Sequence, residues 1–89
     1  MFTHLTPDDL TPREVYKLMI GCVVPRPIAW ITSVNDAGVV NLAPFSYFNG
    51  VSSRPAVVSV SFSYHPDRPE HAKDTLRNIR ATGEFVINV

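Results

Sequence analysis

Hydrophobic and polar residues alternate with a period of two in two segments, the pattern of half-buried β-strands. Along residues 28–34 the alternation places four side chains on one face, namely Ile28, Trp30, Thr32 and Val34. Residues 56–63 alternate in the same way, and residues 84–89 form an apolar run. Residues 35–38 have turn chemistry and precede an extended run at 39–41. The sequence therefore predicts antiparallel strands at 28–34, 39–41, 56–63 and 84–89, the first two forming a hairpin.

The N-terminal part of the chain carries a helix signal instead. Thr11 and Glu14 match a capping box, with Pro12 between them at the first helical position. These residues predict a helix over about 12–20 that ends at Gly21, a residue suited to a left-handed C-terminal cap. The apolar stripe of this helix consists of Val15, Leu18 and Met19.

A second, shorter helix is predicted over about 74–82. Asp74 is expected to cap its start and Gly83 to end it. The two prolines of residues 66–69 predict a loop before this helix.

Residues 41–55 interrupt the strand pattern, and Pro44 is expected to stop the strand before them. Three aromatic residues, Phe45, Tyr47 and Phe48, are unusual in a solvated loop. An irregular backbone leaves amide N–H groups free to donate to the acceptors of a flat heterocycle. The segment is therefore a candidate binding site, with a hydrophobic lid or a subunit contact as the alternatives.

Lys73, Asp74 and Thr75 stand where the second helix is predicted to start. Unsatisfied amides, the positive end of the helix dipole and a nearby cation together favour a phosphate. The alternative is that Lys73 is an ordinary solvated charge.

Composition limits the range of functions. The chain has 89 residues, of which 45% are hydrophobic and 18% charged, as expected for one small folded domain. Eight basic residues balance eight acidic ones, so no overall field favours nucleic acid or an anionic membrane. Cys22 is the single cysteine, so no internal disulfide can form, and we expect a cytoplasmic protein with this thiol in the core.

Six segments, in this order, resemble the flavin reductase-like family of FMN-binding split barrels. They are Pro25 to Ser33, Asn41 to Asn49, Ser52 to Pro55, Lys73 to Thr75, Asn78-Ile79 and Glu84 to Asn88. The resemblance implies a mainly β (α+β) fold, a split β-barrel with Greek-key-like antiparallel strands and short helices. Family members are about twice as long, so residues 1–89 are expected to form the N-terminal part of a single FMN-binding domain, with the barrel incomplete.

The resemblance also implies a set of cofactor-binding residues. The flavin ring of FMN is expected against Asn41, Leu42, Ala43, Pro44, Phe45, Ser46 and Tyr47, mainly through the backbone. The phosphate is expected near Lys73, Asp74 and Thr75, with Thr32, Ser33, Ser61 and Ser63 as further candidates for the ribityl chain or the phosphate. No catalytic residue and no metal ligand is assigned, because in such proteins the flavin supplies the redox chemistry.

The function implied by the resemblance is an NAD(P)H-dependent flavin reductase, of the type that supplies a flavin-dependent monooxygenase. Its expected small-molecule partners are the flavin and NADH or NADPH, and its expected assembly is a homodimer without nucleic acid or membrane. The first alternative is an FMN-binding electron carrier without a nicotinamide site. The second is a truncated fragment without activity of its own, and the third, a small nucleic-acid-binding barrel, is disfavoured by the neutral charge.

Overall fold

A computed structural model of the protein describes residues 1–63 and 73–89. In these ranges the chain forms a 3₁₀ turn, two α-helices and five β-strands. The turn spans Pro7–Asp9, and the other elements are α1 (Pro12–Cys22), β1 (Ala29–Val34), β2 (Val40–Phe45), β3 (Phe48–Ser53), β4 (Ala56–Val60), α2 (Asp74–Thr82) and β5 (Val86–Asn88). The predicted mainly β fold class is confirmed. The predicted loop at 66–69 lies outside the described residues.

The described strands form two antiparallel sheets rather than a closed barrel. One sheet has the order β2-β1-β5, and the other pairs β3 with β4. The predicted hairpin between β1 and β2 is confirmed, with Val34 opposite Val40. Its turn is closed by Asn35, whose side-chain oxygen accepts hydrogen bonds from the backbone N–H groups of Ala37 and Val39, both at 2.9 Å.

The predicted capping box of α1 is present. The Thr11 backbone N–H donates to Glu14 Oε2 at 2.9 Å, and the Glu14 backbone N–H donates to Thr11 Oγ1 at 3.2 Å. These two bonds satisfy amides that have no partner inside the helix. The start of α1 is therefore set by local sequence.

The predicted end of α1 at Gly21 is wrong, because the helix continues through this residue to Cys22. Arg26 supplies the reason. Its Nη1 donates to the carbonyl oxygens of Ile20 and Val23, at 3.1 and 3.0 Å. The last carbonyls of the helix thus gain a cationic partner from beyond the helix and need no left-handed glycine.

The outer surface of α1 is more exposed than its apolar stripe predicts. Leu18 and Met19 are both exposed, and no residue of the helix is buried. Cys22 is also exposed, so the expectation that this thiol lies in the core is wrong. The helix contacts the rest of the protein through Tyr16, whose ring centroid lies 6.5 Å from that of Tyr47.

The region predicted to be irregular is largely β-structure. Strand β2 runs through Pro44 and pairs with β1 as far as Phe45, opposite Ala29. Pro44 is tolerated because β2 is paired on one side only within the described residues, and a strand at a sheet edge accommodates a residue without an N–H donor. Strand β3 then forms a hairpin with β4.

Three further boundaries differ from the predictions. Strand β4 ends at Val60 rather than at residue 63, and β5 covers only Val86–Asn88. Lys73, not Asp74, is the N-cap residue of α2, and its side chain makes no capping hydrogen bond. The predicted end of α2 at Gly83 is confirmed, with a left-handed φ of 75°.

The core lies on one face of β1, where Ala29, Ile31 and Ser33 are buried. Phe45 completes it and meets Phe62 edge-to-face, with ring centroids 4.7 Å apart. The other face of the same sheet carries the side chains that the alternation in the sequence placed together with Trp30. That face is apolar and largely exposed, and neighbouring strands add Leu42 and Val86 to it.

Candidate functional site

Strand β2 and the start of α2 line one cavity. It has a volume of about 330 Å³. Its lining residues are Asn41, Ala43, Pro44, Phe45, Lys73, Asp74 and Thr75. The two sequence segments predicted to meet the flavin ring and the phosphate therefore lie side by side.

A smaller cavity of about 120 Å³ continues this space toward α1. It shares Pro44, Phe45 and Lys73 with the first cavity. Its other lining residues are Tyr16, Ser46, Tyr47, Ser61 and Ser63. We call the two together the β2–α2 cleft. Tyr16 was not predicted, because only the packing of α1 brings it here and no local pattern marks it.

Lys73 is the cation of the cleft. Its side chain is half-buried, and its Nζ lies 5.7 Å from the centroid of the Phe45 ring, within the range of a cation–π contact. The residue stands directly before α2, whose first amides lack partners inside the helix. A positive charge and the positive end of a helix dipole thus face the same space.

Asp74 brings a carboxylate to the same end of α2. Its Oδ1 lies 4.0 Å from Arg77 Nη1, and both side chains are more than half exposed. An acidic residue in the first turn is favourable for the helix itself, because it faces the positive end of the dipole. The local structure therefore gives Asp74 a role in starting α2.

Two hydrogen bonds, one part-buried and one buried, hold α2 against the sheet. Asn41 Nδ2 donates to Thr75 Oγ1 at 2.9 Å, and Asn78 Nδ2 donates to Ser33 Oγ at 3.1 Å. Thr75 is 1% exposed and Ser33 is 2% exposed. Buried polar groups need such partners, since an unpaired one is costly. The hydroxyls of Thr75 and Ser33 thus fix the position of α2 and, with it, that of Lys73.

Three of the predicted cofactor-binding residues do not line the cleft. Ser33 is buried beneath α2, as its bond to Asn78 shows. Thr32 and Leu42 lie opposite each other on the other face of the sheet, where Thr32 Oγ1 accepts a hydrogen bond from Asn88 Nδ2 at 2.8 Å. All the other predicted residues line the cleft.

The residues present fit a flavin nucleotide. Tyr16, Phe45 and Tyr47 provide aromatic walls for a flat ring. In residues 1–63 and 73–89 no strand pairs with the edge of β2 that faces away from β1, and backbone groups on this edge can bond the ring's carbonyl and nitrogen atoms. Lys73 and the start of α2 suit a phosphate at the other end. The size of the cleft lies toward the lower end of ligand sites in proteins.

None of the helices in residues 1–63 and 73–89 is long and apolar enough to span a bilayer.

Comparison with known proteins gives relatives along nearly the whole chain. An uncharacterized protein of Halalkalibacterium halodurans is 47% identical over 85 residues, which are 96% of this chain and 40% of that protein. The protein YwrF of Bacillus subtilis, also uncharacterized, is 46% identical over 82 residues, which are 92% of this chain and 38% of that protein. The chain thus spans about 40% of the length of these curated relatives.

Two solved structures share the fold. Nitrilotriacetate monooxygenase component B from Bacillus cereus is 40% identical, with a TM-score of 0.90 over 100% of this chain and 43% of that one. The 2-nitrobenzoate 2-nitroreductase NbaA of Pseudomonas fluorescens is 39% identical, with a TM-score of 0.82 over 98% of this chain and 40% of that one. A family model described as the flavin reductase like domain matches residues 20–89. The chain therefore belongs to the flavin reductase-like family.

Proposed function

We propose that the β2–α2 cleft binds FMN and that the protein passes a hydride from NADH or NADPH to this flavin. The observation that carries the proposal is the single cleft in which Asn41 to Tyr47 and Lys73 to Thr75 meet, although about thirty residues separate them in sequence. When bound, the flavin supplies the redox chemistry itself. The protein's part is to hold and orient the flavin.

Lys73 and the first amides of α2 bind the phosphate in this proposal. The lysine is half-buried and lines the cleft, with its ammonium beside the Phe45 ring. Charge-assisted bonds to phosphate are among the stronger polar contacts in proteins. Asn41 and Thr75 act indirectly, because their mutual hydrogen bond fixes the distance between β2 and the start of α2.

The ring end of the site consists of the end of β2 and the residues that follow. Ser46 and Tyr47 are half-buried and line the part of the cleft nearest α1. Ser61 and Ser63 face them and offer hydroxyls at the border between the ring and the ribityl chain. Tyr16 covers this end from α1, at 6.5 Å from Tyr47 between ring centroids.

The reductase proposal is tested by adding NADH or NADPH to the FMN-loaded protein without oxygen. We expect the flavin's visible absorption to bleach at a rate that depends on nicotinamide concentration, because hydride transfer reduces the ring. The matched control is free FMN at the same concentration, which should bleach far more slowly. Bleaching at the control rate would favour the alternative of an electron carrier without a nicotinamide site.

The likeness to nitrilotriacetate monooxygenase component B supports a more specific role. We propose that the reduced flavin serves a partner monooxygenase, as a reductase component does. The likeness to a nitroreductase supports direct use of the reduced flavin on a substrate as the second candidate. If the reduced flavin reaches the monooxygenase by diffusion, product should still form when a membrane permeable to flavin separates the two proteins. Loss of product formation under this separation would contradict transfer by diffusion.

We also propose a homodimer. Trp30, Leu42 and Val86 form an exposed apolar surface on one face of the sheet, and the outer edge of β5 is unpaired in the described part of the chain. Apolar surfaces and open strand edges are typical contact sites. Sedimentation at micromolar concentration should therefore give twice the monomer mass, and a folded monomer would contradict the proposal. A Trp30→Glu variant should shift the equilibrium toward monomer.

The cytoplasmic location stays a prediction.

A further inference from the structure

A larger cavity adjoins the β2–α2 cleft. It has a volume of about 520 Å³ and lies between the end of α1 and the β3–β4 hairpin. Met19, Val23 and Phe48 give it apolar walls, and Arg26, Asn49 and Ser59 give it polar ones. It shares Ser46, Tyr47 and Ser61 with the cleft, so its occupant would lie next to the proposed ring site. We call this cavity the Arg26 pocket.

Arg26 is held in this pocket by hydrogen bonds on one side and an aromatic ring on the other. One nitrogen, Nη1, donates to the carbonyl oxygens of Ile20 and Val23 at the end of α1. The guanidinium carbon lies 5.9 Å from the centroid of the Tyr47 ring, a cation–π geometry. The helix end and the aromatic ring thus place the cation before any ligand arrives, which lowers the entropy cost of binding.

The guanidinium also has unused donors. Arg26 Nε is buried without a hydrogen-bond partner, and within residues 1–63 and 73–89 the only bonds recorded for this side chain come from Nη1. Buried N–H groups are normally paired. Among residues 1–63 and 73–89, those that line the pocket include no Asp or Glu, so none of them neutralises its positive charge. The described part of the pocket therefore offers this guanidinium no negatively charged acceptor.

The surroundings restrict this acceptor to a single negative charge. Arg26 is the only cationic side chain among the lining residues that the structure describes. The nearby end of α1 is the negative end of a helix dipole, which disfavours a dianion such as a phosphate monoester. A carboxylate matches the planar guanidinium, and an apolar body matches Met19, Val23 and Phe48.

We propose that the Arg26 pocket binds the carboxylate of a small, flat organic acid and holds it beside the flavin. The apolar body of this acid lies between α1 and β3, and Tyr47 separates the acid from the ring end of the flavin site. The inference rests on the proposed function in one respect, namely that a flavin occupies the neighbouring cleft. It adds the chemical class of the second ligand of that site.

The test uses benzoate as the probe and benzamide, which is uncharged and has a similar shape, as its control. Calorimetric titration of the flavin-free full-length protein should show saturable benzoate binding, with benzamide at least about tenfold weaker. Arg26→Gln should weaken benzoate by at least about tenfold and bring it to the level of benzamide. Arg13→Gln removes an exposed arginine of α1 and should leave benzoate binding unchanged.

A second variant keeps the test decisive if Arg26→Gln disturbs the end of α1. Ser59→Trp fills the pocket from β4 and leaves the bonds of Arg26 to Ile20 and Val23 in place. It should abolish benzoate binding while the circular dichroism spectrum stays that of the parent protein. Benzoate binding that survives either variant, or equal affinity for benzoate and benzamide, would overturn the inference.

FMN affinity is measured separately on the same proteins by fluorescence quenching. Benzoate binding that depends on Arg26 in a protein unable to bind FMN would support the pocket and contradict the proposed function. FMN binding without any benzoate binding would support the proposed function and contradict the pocket. The two failures are therefore distinguishable.

Discussion

An Ile31→Ala variant is expected to lose about 2–5 kcal/mol of unfolding free energy. Ile31 is 0% exposed at the centre of β1, opposite Ala43 on β2 and Ile87 on β5. Truncation removes apolar contacts and leaves a cavity that the surrounding strands fill only in part. Since small domains are typically stable by only about 5–15 kcal/mol, this loss is a large share of the total, and the variant should unfold at a clearly lower urea concentration than the parent protein.

The same substitution at Ile28 is the matched control. Ile28 precedes the same strand but is 53% exposed, so Ile28→Ala should change the unfolding free energy by no more than about 0.5 kcal/mol. Urea unfolding followed by circular dichroism measures both variants. Equal losses for the two would contradict the assignment of the core to the Ala29, Ile31 and Ser33 face.

A Lys73→Ala variant is expected to bind FMN more weakly while its affinity for riboflavin stays nearly the same. The change removes a charge-assisted contact worth about 1.5–3 kcal/mol, so FMN should bind at least about tenfold more weakly. Riboflavin has no phosphate, and its affinity should hardly change. The fold should tolerate the change, because Lys73 makes no side-chain capping bond to α2. Titration by flavin fluorescence quenching measures both ligands.

Two further variants complete this comparison. Lys17→Ala removes an exposed lysine of α1 that lines neither part of the cleft, and it should leave both affinities unchanged. Ser46→Phe narrows the ring end and should weaken FMN and riboflavin alike. Phe45 is unsuitable for this purpose, because it is a core residue as well as a cleft residue. Equal losses of both ligands on Lys73→Ala would show that the lysine supports the fold and does not bind the phosphate.

Elements with strong local signals were predictable from the sequence. The capping box of α1, the turn between β1 and β2 and the left-handed Gly83 all depend on residues within four positions of one another. Such interactions form in the same way wherever the segment is placed. The alternation of β1 also predicted the strand correctly, although it did not indicate that the face carrying Trp30 is the exposed one.

Features that depend on tertiary contacts were not predictable in this way. Pro44 is a strand breaker by propensity, yet β2 continues through it because the strand lies at a sheet edge. Gly21 is a natural helix end, yet α1 continues because Arg26 reaches back to its carbonyls. In both cases the tertiary surroundings, rather than the local preference of the residue, decide where the element ends.

The candidate site also combines residues that the sequence predicted with residues that only the tertiary structure reveals. Lys73 and Asn41 were predicted as parts of one site through the resemblance to a family, since no local rule connects positions 32 residues apart. The structure connects them through the bond between Asn41 and Thr75. Tyr16 was missed because α1 carried only a helix signal, and Arg26 was missed because it stands between two prolines that indicate only extended backbone. The positions of both side chains against Tyr47 follow from packing.

The most direct test of the central claim is to map FMN binding on the protein by amide chemical-shift changes in solution. The β2–α2 cleft predicts one saturable site, with the largest shifts at Asn41 to Tyr47 and at Lys73 to Thr75. Riboflavin should reproduce the shifts of the first segment and leave those of the second nearly unchanged. Shifts confined to the exposed face around Trp30 and Leu42, or the absence of any saturable shift, would contradict the assignment of the cleft as the flavin site.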